Sequence, residues 1–308
     1  MEKSGQTTVI PKGKALVVSH DAGGAEILSS LLKLNDMPYL LCLAGPAVNI
    51  FQRKLCNKKN YSLDKGINQA DWILTGTSWA SDLEYRAIGL AKSKGKNVVS
   101  FLDHWVNYKE RFIRNNILHL PDEIWVGDEY ALIIAQKVFP SKIIKFVTNF
   151  YFEDIISNIE KIEIEKKKDD TIRILYVSDV IQDISINYYG HPNYFGYNEY
   201  EAMDNFLITV TKKKLKKYKI RIRLHPSEVN GKYRQIINSH PELPLKESKA
   251  SSLFKDCVWA DWIVGQQSMA LIVGLMAGKK VFSCIPPGGK KSQLPFNNIK
   301  EFSLDKNK

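Results

Sequence analysis

A short polar segment near the N-terminus, residues 20–24, combines a histidine, an aspartate and two glycines directly after an apolar, strand-like run. A carboxylate in such a place can act as a general base that removes the proton of an attacking hydroxyl. We therefore predict that Asp21, together with His20, is catalytic, although helix capping by Asp21 is the alternative. Gly23 and Gly24 let the backbone approach a ligand closely, and the N-terminus of the following helix favours an anion. Both glycines are predicted to contact the acceptor, which is the molecule that carries the attacking hydroxyl.

Two further turns in the first half of the chain follow apolar runs. Thr77 and Ser78 come after a glycine, and small hydroxyl residues in front of a helix can hold a phosphate or a sugar hydroxyl. Asp103 and His104 follow the run 98–102 and form a charged and aromatic cluster that could bind an acceptor. We predict acceptor binding for all four residues. Capping explains Thr77 and Ser78 equally well, and a structural polar role is the alternative for the other two.

The second half of the chain contains a basic strand that ends in a His-Pro pair. The proline stops the strand and biases His225 towards an extended conformation, which aims the imidazole out of the sheet. A histidine there can donate a hydrogen bond to a phosphate. A second anion site is predicted at Gln267 and Ser268, where the serine and free backbone N–H groups begin a helix. The predicted phosphate-binding residues are Ser178, Arg223, His225, Pro226, Gln267 and Ser268.

All these segments lie at the ends of short apolar runs that alternate with helical patterns. Runs of four to six residues separated by amphipathic helices predict βαβ units and a mostly parallel sheet. Ligands of such sheets bind outside the carboxyl ends of the strands. The predicted strands are 15–19, 39–43, 72–75, 98–102, 123–126 and 143–147 in the first half, and 172–177, 220–224, 262–265 and 280–284 in the second.

Three local features are also predicted. Ser81 and Glu84 have the spacing of a capping box, with the serine as N-cap. The segment 182–196 is rich in Tyr, Asn, Gly and Pro, which is typical of a loop. The periodicity of 199–218 predicts one long amphipathic helix that ends in a lysine run.

The charged segment 161–170 separates two α/β halves of similar length, so we interpret it as an interdomain connection, with a solvated helix end as the alternative. The predicted fold class is α/β, with two Rossmann-like domains that face each other across a cleft. The first domain is predicted to span residues 1–160 and the second 171–308.

Composition restricts the partners of the protein. The chain has 44 Lys+Arg against 33 Asp+Glu, a formal net charge of +11, which favours an anionic partner. Only eight of these cations are arginines, the residue best suited to reading bases, so nucleic acid is not the predicted partner. The lysine run 212–217 is interpreted as a solvated face, with docking on an anionic membrane surface as the rival interpretation.

Several signals are missing from the sequence. We find no apolar segment typical of a secretory signal or a transmembrane helix, and the four cysteines form no C-x-x-C pair. These observations predict a cytoplasmic protein with buried, reduced cysteines. No D-x-D element is present, so neither a metal ion nor a cofactor is expected.

The segment Arg223-Leu-His-Pro226 resembles the His-Pro motif of bacterial sialyltransferases, Kdo transferases and CDP-glycerol-dependent teichoic acid polymerases, which are GT-B-class enzymes. The Gln267-Ser268 turn is similar to their downstream serine motif. The resemblance covers 221–287 and implies that His225 and Ser268 hold the phosphate of a nucleotide-activated donor, in a C-terminal donor domain. Asp21 matches their catalytic aspartate only by its place after the first strand, and the Asp-Asp-Gly or Glu-Asp-Gly form is absent.

The resulting functional prediction is a metal-independent glycosyltransferase. It would move a sugar from a nucleotide-activated donor, with a CMP-sugar favoured, to a hydroxyl of a glycan or lipid-linked acceptor bound by the N-terminal domain. Capsule or lipopolysaccharide biosynthesis at the inner face of the membrane would be the setting. One alternative is a nucleotide-sugar 2-epimerase or hydrolase with the same fold. Another is a non-catalytic two-domain binding protein.

Overall fold

The computed structural model describes residues 10–56, 58–79, 81–163 and 169–303, and every structural statement below refers to these residues. Internal contacts divide the chain into two compact units, Met1–Asp154 and Ile155–Lys308. Each unit contains a six-stranded sheet in which all neighbouring strands run parallel. The prediction of an α/β fold built on parallel sheets is therefore confirmed.

The sheet of the first unit has the strand order β2-β1-β3-β4-β7-β8, and β5 and β6 form a separate antiparallel hairpin. Helix α6 crosses the boundary between the units, and a short 3-10 turn spans Glu110–Phe112. The strands are β1 (Ala15–Ser19), β2 (Tyr39–Leu43), β3 (Trp72–Thr75), β4 (Asn97–Leu102), β5 (Ile113–Arg114), β6 (Ile117–Leu118), β7 (Glu123–Val126) and β8 (Ile143–Phe146). The helices are α1 (Ala22–Leu34), α2 (Pro46–Leu55), α3 (Leu63–Gln69), α4 (Leu83–Ser93), α5 (Glu129–Val138) and α6 (Phe150–Glu160).

The sheet of the second unit has the order β11-β10-β9-β12-β13-β14. Its strands are β9 (Ile172–Val177), β10 (Tyr218–Arg223), β11 (Leu245–Glu247), β12 (Trp262–Gly265), β13 (Lys280–Ser283) and β14 (Ile299–Glu301). Its helices are α7 (Ile181–Tyr189), α8 (Glu199–Lys212), α9 (Arg234–Ser239), α10 (Leu253–Trp259) and α11 (Met269–Met276).

Burial on both faces explains why the central strands are continuous apolar runs. All five residues of β1 are fully buried, because helices cover both sides of a parallel sheet. In β10 the pattern alternates instead: Ile220 and Ile222 are buried, whereas Arg221 and Arg223 point to the opposite face. There both arginines meet the buried carboxylate of Asp256 on α10.

The local predictions for 182–196 and 199–218 are wrong. The predicted loop 182–196 begins with helix α7, because the apolar residues Ile181 and Ile184 lie three apart and pack into an aromatic cluster with Phe195 and Tyr197. The predicted helix 199–218 ends at Lys212. The chain turns at Lys214, which has a φ of +48°, and β10 begins at Tyr218.

The cysteine prediction needs one correction as well. Cys42, Cys257 and Cys284 are buried thiols, but Cys56 is exposed at the end of α2. In the described residues, no helix combines the length and the apolar character needed to cross a membrane.

Candidate functional site

The segments that follow β1, β3 and β4 are neighbours at one edge of the first sheet, because β3 lies next to both β1 and β4. The structure thereby brings together Asp21, Ser78 and Asp103, which are far apart in sequence. Gly24 packs against the backbone of Gly76, so a β-carbon at Gly24 would lie 3.3 Å from the Gly76 Cα.

Three hydrogen-bond donors surround the carboxylate of Asp21. Its Oδ1 accepts from Ser78 Oγ and pairs with His20 Nδ1, each at 2.7 Å, and its Oδ2 accepts from the backbone N–H of Trp79 at 3.0 Å. A carboxylate has about four accepting positions, so one position on Oδ2 stays open. The side chain is 23% exposed, which leaves that position within reach of a ligand hydroxyl. This geometry suits a general base that is held in a fixed orientation.

His20 is oriented by the same carboxylate. An ionised carboxylate can only accept, so Nδ1 is the donor of this hydrogen bond. The ring lies over Gly45, where a β-carbon would approach Nε2 to 2.5 Å. Gly45 has a φ of +52° and precedes Pro46 at the start of α2. The missing side chain at Gly45 therefore makes room for the His20 ring.

We expect Gly45→Ala to displace His20 and to cost about 1–3 kcal/mol of stability, since alanine adds both the collision and a strained backbone. Gly95→Ala is the matched control, because Gly95 has a φ of +67° but open space around its Cα. Thermal unfolding compares the two variants. Equal losses of stability would contradict the packing of His20 against Gly45.

Glu84 was predicted to belong to a capping box, and this prediction is wrong. The N-cap of α4 is Asp82, whereas Glu84 is 2% exposed and its Oε1 accepts the backbone N–H of His20 at 2.6 Å. Burial, and then the charges of Asp21 and Asp103, raise the pKa of Glu84 to about 8. The site therefore contains a carboxyl group that is largely protonated at neutral pH. The capping-box spacing led to a different prediction for Glu84, because the sequence does not show which side of α4 faces the sheet.

The other acceptor-site residues form a second polar group beside Asp21. Asp103 Oδ1 pairs with Arg111 at 3.1 Å and accepts from Thr77 Oγ1 at 3.0 Å, while Arg111 also donates to Thr77. The Asp103 carboxylate lies against Gly23, where any β-carbon would collide with Oδ2. The missing side chain of Gly23 therefore leaves room for the Asp103 carboxylate. Arg111 completes the group through its contacts with both Asp103 and Thr77.

His104 is held neutral. Its Nδ1 accepts the backbone N–H of Trp105, and burial, followed by the charge of Arg111, lowers the pKa of the imidazole to about 4. The indole of Trp105 donates to Asp128, which is also the N-cap of α5. With Nδ1 occupied as an acceptor, the neutral His104 ring can still donate a hydrogen bond from Nε2.

In the second unit, His225 is fixed on one side and open on the other. Its backbone N–H donates to Glu228 Oε2 at 2.7 Å, and its Nδ1 accepts from Ser227 N at 3.3 Å. Nδ1 also lies 2.6 Å from Ser227 Oγ, a hydroxyl that can donate to it. With Nδ1 as an acceptor, the proton of the neutral ring is on Nε2, which makes no hydrogen bond to a described residue. Burial lowers the pKa of His225, so the ring is neutral near pH 7. An Nε2–H donor next to the exposed Pro226 is available for a phosphate oxygen.

A buried network supports His225 from behind. Ser178 Oγ donates to Glu228 Oε1 at 2.9 Å and contacts Tyr233 OH at 2.6 Å. Lys232 bridges Glu228 and Glu199, with Nζ at 2.8 and 2.6 Å from their carboxylates. Ser178 is 4% exposed, so it positions Glu228 rather than facing solvent.

Arg223 lies on the sheet face rather than beside the His225 imidazole's open nitrogen. Its Nη1 is 2.8 Å from Asp256 Oδ2 and also contacts the carbonyl of Ala250. Asp256 is fully buried and is shared with Arg221. Most of the Arg223 charge is therefore engaged within the fold.

The turn in front of α11 is partly occupied by the protein itself. Ser268 caps the helix by accepting from Ala270 N, and Gln267 N donates to Asp179 Oδ2 at 3.3 Å. Burial raises the pKa of Asp179 to about 7, so a fraction of this carboxyl group is neutral at physiological pH. The predicted anion site thus contains a carboxyl group whose charge depends on pH.

Several buried polar atoms have no hydrogen-bond partner among the described residues. Such atoms are rare in folded proteins and call for an explanation such as a water or a ligand. In the described part of the first unit they include Ser19 Oγ at the end of β1, Glu84 Oε2 in the first turn of α4, Tyr108 OH after β4 and Asn149 Oδ1 after β8. In the second unit, Gln266 Oε1 directly follows β12. No group of three or more His, Cys, Asp or Glu side chains in the described ranges could hold a metal ion.

No protein-family model and no curated protein sequence matches the chain. Several solved structures do match the chain. UDP-GlcNAc 2-epimerase from Neisseria meningitidis, bound to UDP-GlcNAc, is 13% identical with a TM-score of 0.58, over 88% of this chain and 82% of that one. MnaA of S. aureus with UDP is also 13% identical, with a TM-score of 0.57 over 89% and 79%. A protein of Listeria monocytogenes, provisionally named a UDP-N-acetylglucosamine 2-epimerase, is 10% identical with a TM-score of 0.60 over 89% and 79%. The chain therefore shares their α/β fold, which is the GT-B-like class predicted from the sequence.

Proposed function

We propose that the protein is a glycosyltransferase that uses a nucleotide-activated sugar. The observation that carries this proposal is the arrangement around Asp21, a carboxylate held by three donors with one accepting position open. Two buried polar atoms without a described partner, Ser19 Oγ at the end of β1 and Glu84 Oε2 beside the His20–Asp21 turn, support ligand binding there. Gly23, Gly24, Thr77, Ser78, Asp103 and His104 would form or support the acceptor site.

In the proposed reaction, the acceptor hydroxyl attacks the anomeric carbon of the donor sugar. The new bond is carbon to acceptor oxygen, and the bond that breaks joins the anomeric carbon to the phosphate oxygen. The hydroxyl proton goes to Asp21, and the nucleotide leaves with the bonding electron pair. Donors such as the Nε2–H of His225 would stabilise the charge on the departing phosphate. The proposed reaction needs no metal ion or cofactor.

The donor site is proposed for the carboxyl edge of the second sheet. His225 and Ser268 would contact the phosphate, and Pro226 and Gln267 would shape the two turns. Ser178 and Arg223 would act from behind through Glu228 and Asp256. The resemblance of the His-Pro segment favours a CMP-sugar as donor.

A 2-epimerase is the second candidate, because two of the similar structures carry that name and one of them is bound to UDP-GlcNAc. An epimerase needs acid–base groups but no acceptor. The partly exposed pair of His20 and Asp21 would supply such groups in the same unit.

Product analysis separates the two candidates. The protein is incubated with CMP-, UDP-, GDP- and dTDP-sugars, with and without a mixture of bacterial surface glycans, and the products are followed by chromatography and mass spectrometry. Transfer predicts free nucleotide and a mass increase of the glycan that depends on the acceptor. A sugar isomer formed without acceptor would favour the epimerase.

We expect His225→Ala to weaken binding of the preferred nucleotide at least about tenfold, since one hydrogen bond to a charged group is lost. Isothermal titration calorimetry measures the affinity. His240→Ala, a second half-buried histidine of the same unit, is the control and should bind like the wild type. Unchanged affinity in His225→Ala would remove His225 from the donor site.

The proposed setting is the synthesis of a bacterial surface polysaccharide, with a glycan or lipid-linked acceptor, in the cytoplasm at the inner face of the membrane. The excess of 11 positive charges supports an anionic surface as a partner. Nucleic acid is not proposed as a partner. Sedimentation with vesicles that contain an anionic lipid, compared with neutral vesicles, tests the membrane association.

A further inference from the structure

A buried glutamate lies directly behind the proposed base. Glu84 is in the first turn of α4, which follows β3, and its Oε1 accepts the backbone N–H of His20 at 2.6 Å. This hydrogen bond ties α4 to the residue that precedes Asp21. The turn that presents the proposed base is therefore fastened by a side chain from another part of the sheet edge.

The second oxygen of Glu84 has no protein partner. Oε2 is buried and makes no hydrogen bond to a described residue, and the residue as a whole is 2% exposed. A buried carboxylate with only one hydrogen bond is costly, whereas a protonated carboxyl group leaves one O–H to be satisfied by a water or a ligand. The surroundings therefore favour the neutral form.

The charged groups around Glu84 act in the same direction. Asp21 from the β1–α1 turn and Asp103 from the end of β4 both disfavour a third negative charge. Cys42 on β2 interacts with the same charge: burial raises the pKa of its thiol, the charge of Glu84 adds to this rise, and Arg86 opposes it. The backbone N–H groups of His20 and of Glu84 itself favour the ionised form, but burial outweighs them.

We propose that Glu84 is the positioning residue of the Asp21 site, which fastens the His20–Asp21 turn in its protonated form and, when it loses that proton, places a second negative charge behind Asp21. This inference rests on the proposed function of Asp21. Glu84 itself is not required to touch a substrate. Activity should then be limited at alkaline pH, because an ionised Glu84 repels an anionic donor from the site.

The ionisation of Glu84 can be followed without any substrate. The imidazole resonances of His20 are recorded by NMR from pH 5 to 10 and assigned with a His20→Asn variant. We expect an inflection near pH 8 in the wild type, caused by Glu84. It should vanish in Glu84→Gln, which keeps an oxygen for the His20 N–H. Glu129→Gln changes an exposed glutamate in the first turn of α5 and should retain the inflection.

Thermal unfolding provides a second readout. Between pH 4.5 and about 8 the folded protein binds more protons at Glu84 than the unfolded chain does, so this group makes stability fall as pH rises. The difference in unfolding midpoint, Glu84→Gln minus wild type, should therefore increase as the pH rises through this range. A pH-independent difference in midpoint, together with an inflection near pH 8 that persists in Glu84→Gln, would overturn the proposal.

Activity distinguishes this proposal from the proposed function. If a transferase activity is found, kcat/KM of the wild type should fall above pH 8 and Glu84→Gln should lack this limb. If kcat/KM falls above pH 8 in both the wild type and Glu84→Gln, the positioning role is contradicted even if transfer is confirmed. If no transfer is found but the His20 inflection depends on Glu84, the proposed function fails while the coupling of Glu84 to the turn holds.

Discussion

Replacing Asp21 by asparagine should lower turnover by about 100- to 10,000-fold, the usual contribution of a general base. Asparagine has nearly the same shape, and its oxygen can still accept from Ser78 or from the Trp79 N–H. It cannot take the proton of an acceptor hydroxyl. Initial rates at saturating donor measure the effect, with product detected by mass spectrometry.

Two controls make this result specific to the base. Ser78→Ala removes one donor to Asp21 but keeps the carboxylate, so it should lose far less activity. Asp36→Asn changes an exposed aspartate after α1 and should behave like the wild type. Turnover of Asp21→Asn near the wild-type value, with an unchanged thermal midpoint, would show that another group is the base.

The largest effect on stability is expected for Asp256→Ala. This fully buried carboxylate holds Arg223 at 2.8 Å and Arg221 at 3.4 Å, and it accepts from Ser248 Oγ. Removing one member of a buried ion pair leaves the other charges without compensation and costs about 3–5 kcal/mol. The arginine side chains are about a quarter exposed and can recover some hydration, so we expect about 3 kcal/mol.

Thermal unfolding checks this expectation. At about 2–4 °C per kcal/mol for a unit of this size, the midpoint of the second unit should fall by roughly 6–12 °C. Asp183→Ala, at an exposed position of α7, is the matched control and should change little. A loss below about 2 °C in Asp256→Ala would mean that the two arginines find other partners.

The sequence predicted the positions of the candidate site better than its internal bonding. His20, Asp21, Thr77 and Ser78 follow strands whose apolar runs are unmistakable, and parallel pairing then places them at one edge. The partner of Arg223 lies 33 positions further along the chain, on the face of α10 that packs on the sheet. Local periodicity predicts neither the distant partner of Arg223 nor the face of α10 on which that partner lies.

Glu84 and α7 show why the remaining features were missed. The spacing of Ser81 and Glu84 satisfies a capping rule, but tertiary packing turned Glu84 inward towards His20. The Tyr- and Asn-rich composition of 182–196 is typical of a loop, yet the buried Ile181 and the partly buried Ile184 hold a helix against the aromatic cluster. In both cases long-range contacts overrode a local pattern.

Binding of a nucleotide is the central claim of the proposed function, and it can be measured most directly by thermal shift. The protein is unfolded with and without CMP, CDP, UDP, GDP and dTDP, since a ligand that binds only the folded state raises the midpoint. We expect one nucleotide, with CMP favoured, to stabilise the wild type and to lose most of its effect in His225→Ala. Unchanged midpoints with all five nucleotides at millimolar concentration would contradict the account.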